Sequence, residues 1–212
     1  MIARFWPVRA VVGENGAFYF RYDRAARSMQ RVFSDDLETR QANARRLEVI
    51  RDAVLASVPG AAVAADQAYR HTDLAIDFSE DVVRLSDKDI DTIVSIFRDA
   101  GAVAKVSSIH INGWFGTHNK SSMTTRLAQD VLNLNIERSD ENGLCAFIGD
   151  SPNDAEMFGA FRKSVGVANL NELIDRCEFI PTWITSAKSG AGFCEFSKLV
   201  MAANRTQRSD NA

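Results

Sequence analysis

From Asn119 onward the sequence alternates short apolar stretches with stretches patterned as helices, and this alternation restricts the fold more than any other feature. A helix "SSMTTRLAQDVL" is followed by a strand "LCAFIGD", a helix "AEMFGAF", a strand "SVGVAN", a helix "NELIDRC", a strand "FIPTWIT" and a last helix after Gly190 and Gly192. Strands that are apolar almost throughout, each followed by a helix, predict a parallel sheet buried on both faces, and so an α/β fold. Upstream, "VRAVV" predicts a strand, and "ENG" a turn into the aromatic alternation "AFYFRYD", together a strand followed by a hairpin. Arg24 to about Ser57 is rich in Ala, Arg, Leu and Glu, with Leu47, Ile50, Val54 and Val58 at helical spacing, and predicts one or two helices interrupted at Ser34, Asp35 and Asp36. "RHTDLAIDF" predicts a strand, "SDKD" a capped start to the helix "IDTIVSIFRDAG", and "AKVSSIHING" a strand. In that last strand Ile109 and Ile111 share one face, and Ser108, His110 and Asn112 the other. The end, "ANRTQRSDNA", reads as a solvated tail.

At 212 residues the chain can bury a sizeable core, as one large domain or two small ones. A net charge of -3 offers no broad basic surface, which argues against nucleic acid as the main partner. No run of about 18 apolar residues is present, so no membrane span is expected. Cys145, Cys177 and Cys194 lack paired metal or disulfide spacing and fit a reducing cytoplasm as small buried hydrophobes.

The stretch "FIGDSPND" carries the most chemistry. In an open parallel sheet, ligands bind beyond the carboxyl ends of the strands, where "LCAFIG" delivers Asp150. Asp150, Asn153 and Asp154 offer hard oxygen ligands in one short loop, a set suited to Mg²⁺, although Ser, Pro, Asn and Asp also build ordinary turns and helix caps. Lys120 stands before a helix that Ser121 or Ser122 can cap, so its ammonium and the positive helix end can face one anion; a solvated surface lysine is the plainer reading.

With "FIGDSPNDAEMF" followed by "SVGVAN", "HINGWFGTHNK" upstream and "VVGENGA" near the start, the chain resembles the haloacid dehalogenase-like superfamily. It is most similar to the large-cap branch that includes sucrose-phosphate phosphatase, mannosyl-3-phosphoglycerate phosphatase and the Cof-type phosphatases. The resemblance implies a Rossmann-like core, incomplete at its N-terminus, from residues 1–23 and 113–202, with an inserted α/β cap at 24–112 and a flexible tail at 203–212. It implies Mg²⁺-dependent hydrolysis of a small phosphorylated substrate, a sugar phosphate or similar phosphomonoester, by a cytoplasmic enzyme. Asp150 matches the metal-ligating aspartate, Asp154 the second acid that supports the metal with Asn153, and Lys120 the lysine that holds nucleophile and phosphate, although Ser121 replaces the glycine usual in relatives. Lys120 and Asp154 are thus the catalytic candidates. Arg70, His110 and Asn112 become substrate-binding candidates in the cap, with solvated polar residues as the alternative; His71 and His118 are open between a role and plain surface.

Members of this family attack phosphorus with the first aspartate of an Asp-x-Asp-Gly-Thr segment that follows an apolar strand. No such nucleophile is identifiable here. "DIDT" at Asp89 to Thr92 falls within the amphipathic helix, and in "AIDFSED" Asp77 and Asp81 have the wrong spacing. By resemblance "VRAVV" is the third core strand, which leaves two strands and the nucleophile unaccounted for and the third strand without a neighbour. Three readings follow: a shortened version of a phosphatase, a split enzyme or a carbohydrate- or partner-binding protein, or a remnant without function. All predict no phosphatase turnover by these 212 residues alone.

Overall fold

The computed structural model of the protein describes residues 1–209; the end of the predicted tail, residues 210–212, lies outside them. The chain divides into two compact units, Met1–Asn133 and a second from Leu134 on.

The first unit opens with a one-turn helix, α1 (Ile2–Phe5), and a three-stranded antiparallel meander of β1 (Val11–Gly13), β2 (Phe18–Asp23) and β3 (Ser28–Phe33). The hairpin read from "VVGENGAFYF" is present, with Val12 opposite Tyr19. Two expectations change. Strand β1 does have a neighbour, the antiparallel β2, and residues 28–33 are strand rather than helix. The side chain of Asp23 accepts the backbone N–H groups of Ala25 and Ala26 and turns the chain at 24–27, so Met29 and Val32 lie opposite Tyr22 and Tyr19. Helix α2 (Leu37–Ser57) then starts at Asp36, whose carboxylate accepts the N–H of Thr39 at 2.8 Å, the usual service of an N-cap aspartate.

Strands β4 (Ala62–Val63), β5 (Leu74–Asp77), β6 (Val103–Val106) and β7 (His110–Trp114) form an antiparallel sheet in the order β4-β5-β7-β6. The stretch read as one strand at 104–113 is two strands, with Ser107 bracing the turn through bonds to the N–H and carbonyl of His110. Helix α3 (Asp87–Asp99) is capped by Ser86, and Gly101 follows it with φ +77, the left-handed position that favours glycine. Ile50 and Val54 of α2, Ile93 and Phe97 of α3, and Ile76 and Ile111 of the sheet make one core. Gly113 is required here, since a Cβ at that position would overlap the Phe97 ring. Sheet residues alternate faces, so Ile76 and Ile111 join this core while Asp77, His110 and Asn112 point to the opposite side. Helix α4 (Lys120–Leu127) and a π-turn at Ala128–Leu132 end the unit.

The second unit contains α5 (Ser139–Asn142), β8 (Phe147–Gly149), α6 (Ala155–Ala160), β9 (Ser164–Gly166), β10 (Trp183–Ile184) and α7 (Ser189–Ser209), with 3₁₀ turns at Pro152–Asp154 and Ala168–Arg176. The strands are parallel in the order β10-β9-β8, so the predicted parallel sheet is present, and among the described residues β8 pairs on one side only, with β9. The buried-sheet expectation holds for β9, but Trp183 of β10 is 53% exposed. The cysteines are not buried: Cys145 and Cys177 are half-buried and Cys194 is exposed.

Candidate functional site

In the second unit the run "FIGDSPND" folds as strand, loop and helix. Strand β8 ends at Gly149, the loop begins at the exposed Asp150, and Pro152–Asp154 makes a 3₁₀ turn into α6. Asp154 is buried at 8% exposure and its Oδ2 accepts the N–H of Asp150 at 3.1 Å, so this carboxylate pins the loop from beneath. Gly149 matters for space rather than conformation, because a Cβ there would stand 2.7 Å from the Asp154 carboxylate. Asn169 donates to the Asp150 carbonyl at 3.4 Å and accepts the N–H of Ser189, tying the loop to the start of α7. The donor set is oxygen throughout, with one exposed carboxylate at the strand end and a second holding the loop, which suits Mg²⁺ and its waters.

In the first unit Lys120 is the first residue of α4. The N-cap is Asn119 rather than Ser121 or Ser122: its side chain accepts the N–H of Ser122 at 2.8 Å, while Ser122 Oγ accepts the N–H of Asn119 at 3.1 Å. Packed against this helix start is the loop Glu14-Asn15-Gly16, whose three residues all have positive φ, at 43, 54 and 96. Such a run is strained for the two residues that carry side chains. A Cβ on Gly16 would overlap the Asn119 carbonyl, so the loop and the helix start position one another. Glu14 accepts N–H groups from His71 at 2.7 Å and Thr72 at 2.6 Å, and the Thr72 hydroxyl at 2.5 Å.

The three substrate-binding candidates fall into two groups. Arg70 and Asn112 are together, with Arg70 Nη1 donating to Asn112 Oδ1 at 3.3 Å and to both oxygens of Asp73 at 3.1 and 3.2 Å, while Nε and Nη2 bind Asp66. Arg70 is therefore held by two carboxylates. It also lines a small cavity of about 210 Å³ with His71, Asp73 and Arg51. Burial pushes the Asp73 carboxyl up to about 6; Arg70 pulls the other way, and Glu14 reinforces the rise. His110 lies at the other end of β7, with Nε2 2.9 Å from Glu80 Oε2 and opposite Asp77 in the sheet. His71 is exposed and sets its ring edge-on to Phe18, Phe20 and Phe33. His118 is not a surface residue: its side chain is 6% exposed, stacks on Trp114, and places Nδ1 3.3 Å from Ser34 Oγ. Burial lowers its pKa below the usual histidine value, against the pull of Asp35.

Sequence reasoning missed Glu14, Asp73 and Glu80. "ENG" was legible as a turn, but the hydrogen bonds of Glu14 to residues some 57 positions away leave no local signature.

No protein-family model matches the chain, and no curated protein matches it by sequence. Solved structures do. A Thermoplasma acidophilum protein superposes with a TM-score of 0.60 at 18% identity, over 93% of this chain and 75% of that one. A trehalose-6-phosphate phosphatase related protein superposes with a TM-score of 0.57 at 14% identity, over 99% and 78%. The sucrose-phosphatase of Synechocystis sp., solved in complex with sucrose and phosphate, gives 0.55 at 14% identity, over 85% and 69%. The chain thus shares the α/β fold of these solved structures.

Proposed function

We propose that the chain carries the metal-binding and leaving-group-recognising parts of a Mg²⁺-dependent phosphatase that hydrolyses a sugar phosphate or similar small phosphomonoester in the cytoplasm. The observation that carries this reading is the β8 loop: an exposed Asp150 at the carboxyl end of a parallel strand, with Asp154 folded beneath it through the Asp150 N–H. Fold likeness to a sucrose-phosphatase supports it. Residues 1–23 and 113–202 would then be core, and 24–112 the cap that selects substrate through Arg70, His110 and Asn112.

In this reading Asp150 ligates the metal directly, Asn153 orients its waters, and Asp154 fixes the loop. Mg²⁺ held there would neutralise charge on a phosphate group. Lys120, at the positive end of α4, would be the residue of the first unit that offers a cationic contact to a phosphate. No residue of this chain is assigned as the nucleophile, so the attacking carboxylate would have to come from a polypeptide beyond these 212 residues.

The test is phosphate release from a panel of sugar phosphates with Mg²⁺. It would compare the 212-residue chain with a longer polypeptide that adds an apolar strand ending in Asp-x-Asp-Gly-Thr. Turnover is expected only in the longer form, with Asp150→Ala abolishing it and Lys120→Ala lowering it roughly 100-fold or more. Release by the 212-residue chain that disappears in Asp150→Ala would mean a nucleophile lies within it. Inactivity of both forms would sink the phosphatase reading. The absent nucleophile also favours a second reading, a carbohydrate- or partner-binding protein, which predicts saturable sugar binding without Mg²⁺ and indifferent to Asp150→Ala.

A further inference from the structure

Asp77, Glu80 and His110 place one ligand atom each within 4.8 Å of one another. We infer that these three side chains form a binding site for a divalent transition ion of the zinc class, separate in the sequence from the Asp150 loop and independent of the phosphatase reading.

Three features of the fold assemble the cluster. Asp77 and His110 are direct partners in the β5–β7 register, on the same face of the sheet. Such pairs hold their Cβ atoms roughly 5 Å apart, a separation that two ligands of one ion can bridge. Asp77 then folds the chain that follows it: Oδ1 accepts the N–H groups of Ser79 and Glu80 at 2.9 and 2.8 Å, and Oδ2 that of Asp81 at 2.8 Å. This turn brings Glu80 back over the strand end, with Oε2 2.9 Å from His110 Nε2. An ionised carboxylate has about four acceptor positions, so Asp77 keeps a lone pair for a metal.

His110 points to a ligand on separate grounds. The residue is only 8% exposed, and its Nε2 is buried without a hydrogen-bond partner, because the short approach to Glu80 lacks hydrogen-bond geometry. A buried polar atom left unpaired is costly, and an imidazole nitrogen buried beside two carboxylates is an arrangement that a cation relieves. Charge gives the same answer: two carboxylates bring about -2, which a divalent ion balances, and the imidazole would join as a neutral ligand once the ion is bound. An imidazole selects zinc-like ions over Mg²⁺, and three protein ligands leave at least one position for water. Ligands of one zinc lie nearer together than 4.8 Å; Glu80, whose side chain is 46% exposed, can swing to close the set. The bound ion would clamp the segment after β5 onto the start of β7.

The experiment is a titration of chelator-treated protein with Zn²⁺, and with Co²⁺ as a visible-absorbing probe, in saturating Mg²⁺ to occupy the Asp150 loop. One equivalent is expected to bind and to shift the ring resonances of His110 in the unsubstituted protein. Affinity should fall roughly tenfold or more in His110→Ala and in Glu80→Gln, and stay unchanged in Asp150→Asn. Glu80 is exposed enough for its variant to fold, and circular dichroism checks both. Zn²⁺ binding that is absent in the folded protein, or that leaves the His110 resonances in place, or that survives both substitutions, overturns the assignment and leaves an ordinary histidine–glutamate ion pair.

Discussion

Asp73 sits at 3% exposure just before β5, with both carboxylate oxygens facing Arg70 and its own N–H directed at Glu14. Burial outweighs the guanidinium and raises its pKa from 3.8 to about 6. A carboxyl whose folded pKa lies above its unfolded one favours the fold in its protonated form. Its contribution is complete below pH 4 and is lost as pH rises towards 6. The difference of about two pKa units corresponds to roughly 3 kcal/mol. Urea unfolding of the unsubstituted protein and Asp73→Asn, compared at steps from pH 4 to 7, should show the unsubstituted protein losing about that much relative to the variant. The Arg70 ion pair forms only as Asp73 ionises, so its effect is already contained in the net shift, and the amide adds only an offset from its altered hydrogen bonding. Two curves that run parallel throughout would mean that Asp73 titrates normally.

Among the elements, the loop at 14–16 and the start of α4 form a single device. Gly16 has φ 96, and any side chain there meets the Asn119 backbone, whose residue caps α4. Gly16→Ala should therefore cost roughly 1–3 kcal/mol in denaturant unfolding. It should also speed hydrogen exchange at the amides of Ser122 and Met123, which the cap protects. A loss of stability with unchanged exchange at α4 would separate the two features. Much of this scale was legible in the sequence, because capping and turns are local: Ser86 before α3, Gly101 after it, and the hairpin at "ENG" all announced themselves. The Ala- and Arg-rich stretch at 24–33 misled, since strand pairing with β2 overrides a weak helical preference. The β8 loop could be read from composition and order. The Asp77–Glu80–His110 group could not, because it depends on which residue of β5 faces which residue of β7, a register settled by tertiary packing.

For the whole molecule, burial is unequal between the two units. Val54, Ile76, Ile93, Phe97 and Ile111 of the first are 0% exposed, whereas among the described apolar residues of the second only Leu170 is at 0%. Its sheet is three strands of two or three residues each. A small unit with a thin core is marginal, since apolar burial is the main term set against chain entropy. The second unit should accordingly open first. Hydrogen exchange followed by mass spectrometry in rising urea is expected to release the amides of β8 and β9 at concentrations where those of β5 and β7 are still protected. Release of all four strands together, as one correlated population, would show that the two units unfold as a single cooperative body. The order also bears on the proposed metal loop, because Asp150 and Asp154 lie on the second unit. A ligand that binds the folded loop should raise the urea midpoint of β8 and β9, by an amount that grows with the logarithm of its concentration. Mg²⁺ with inorganic phosphate is the pair to add, and protection that leaves β8 unmoved while β5 and β7 gain would place anion binding elsewhere than the Asp150 loop.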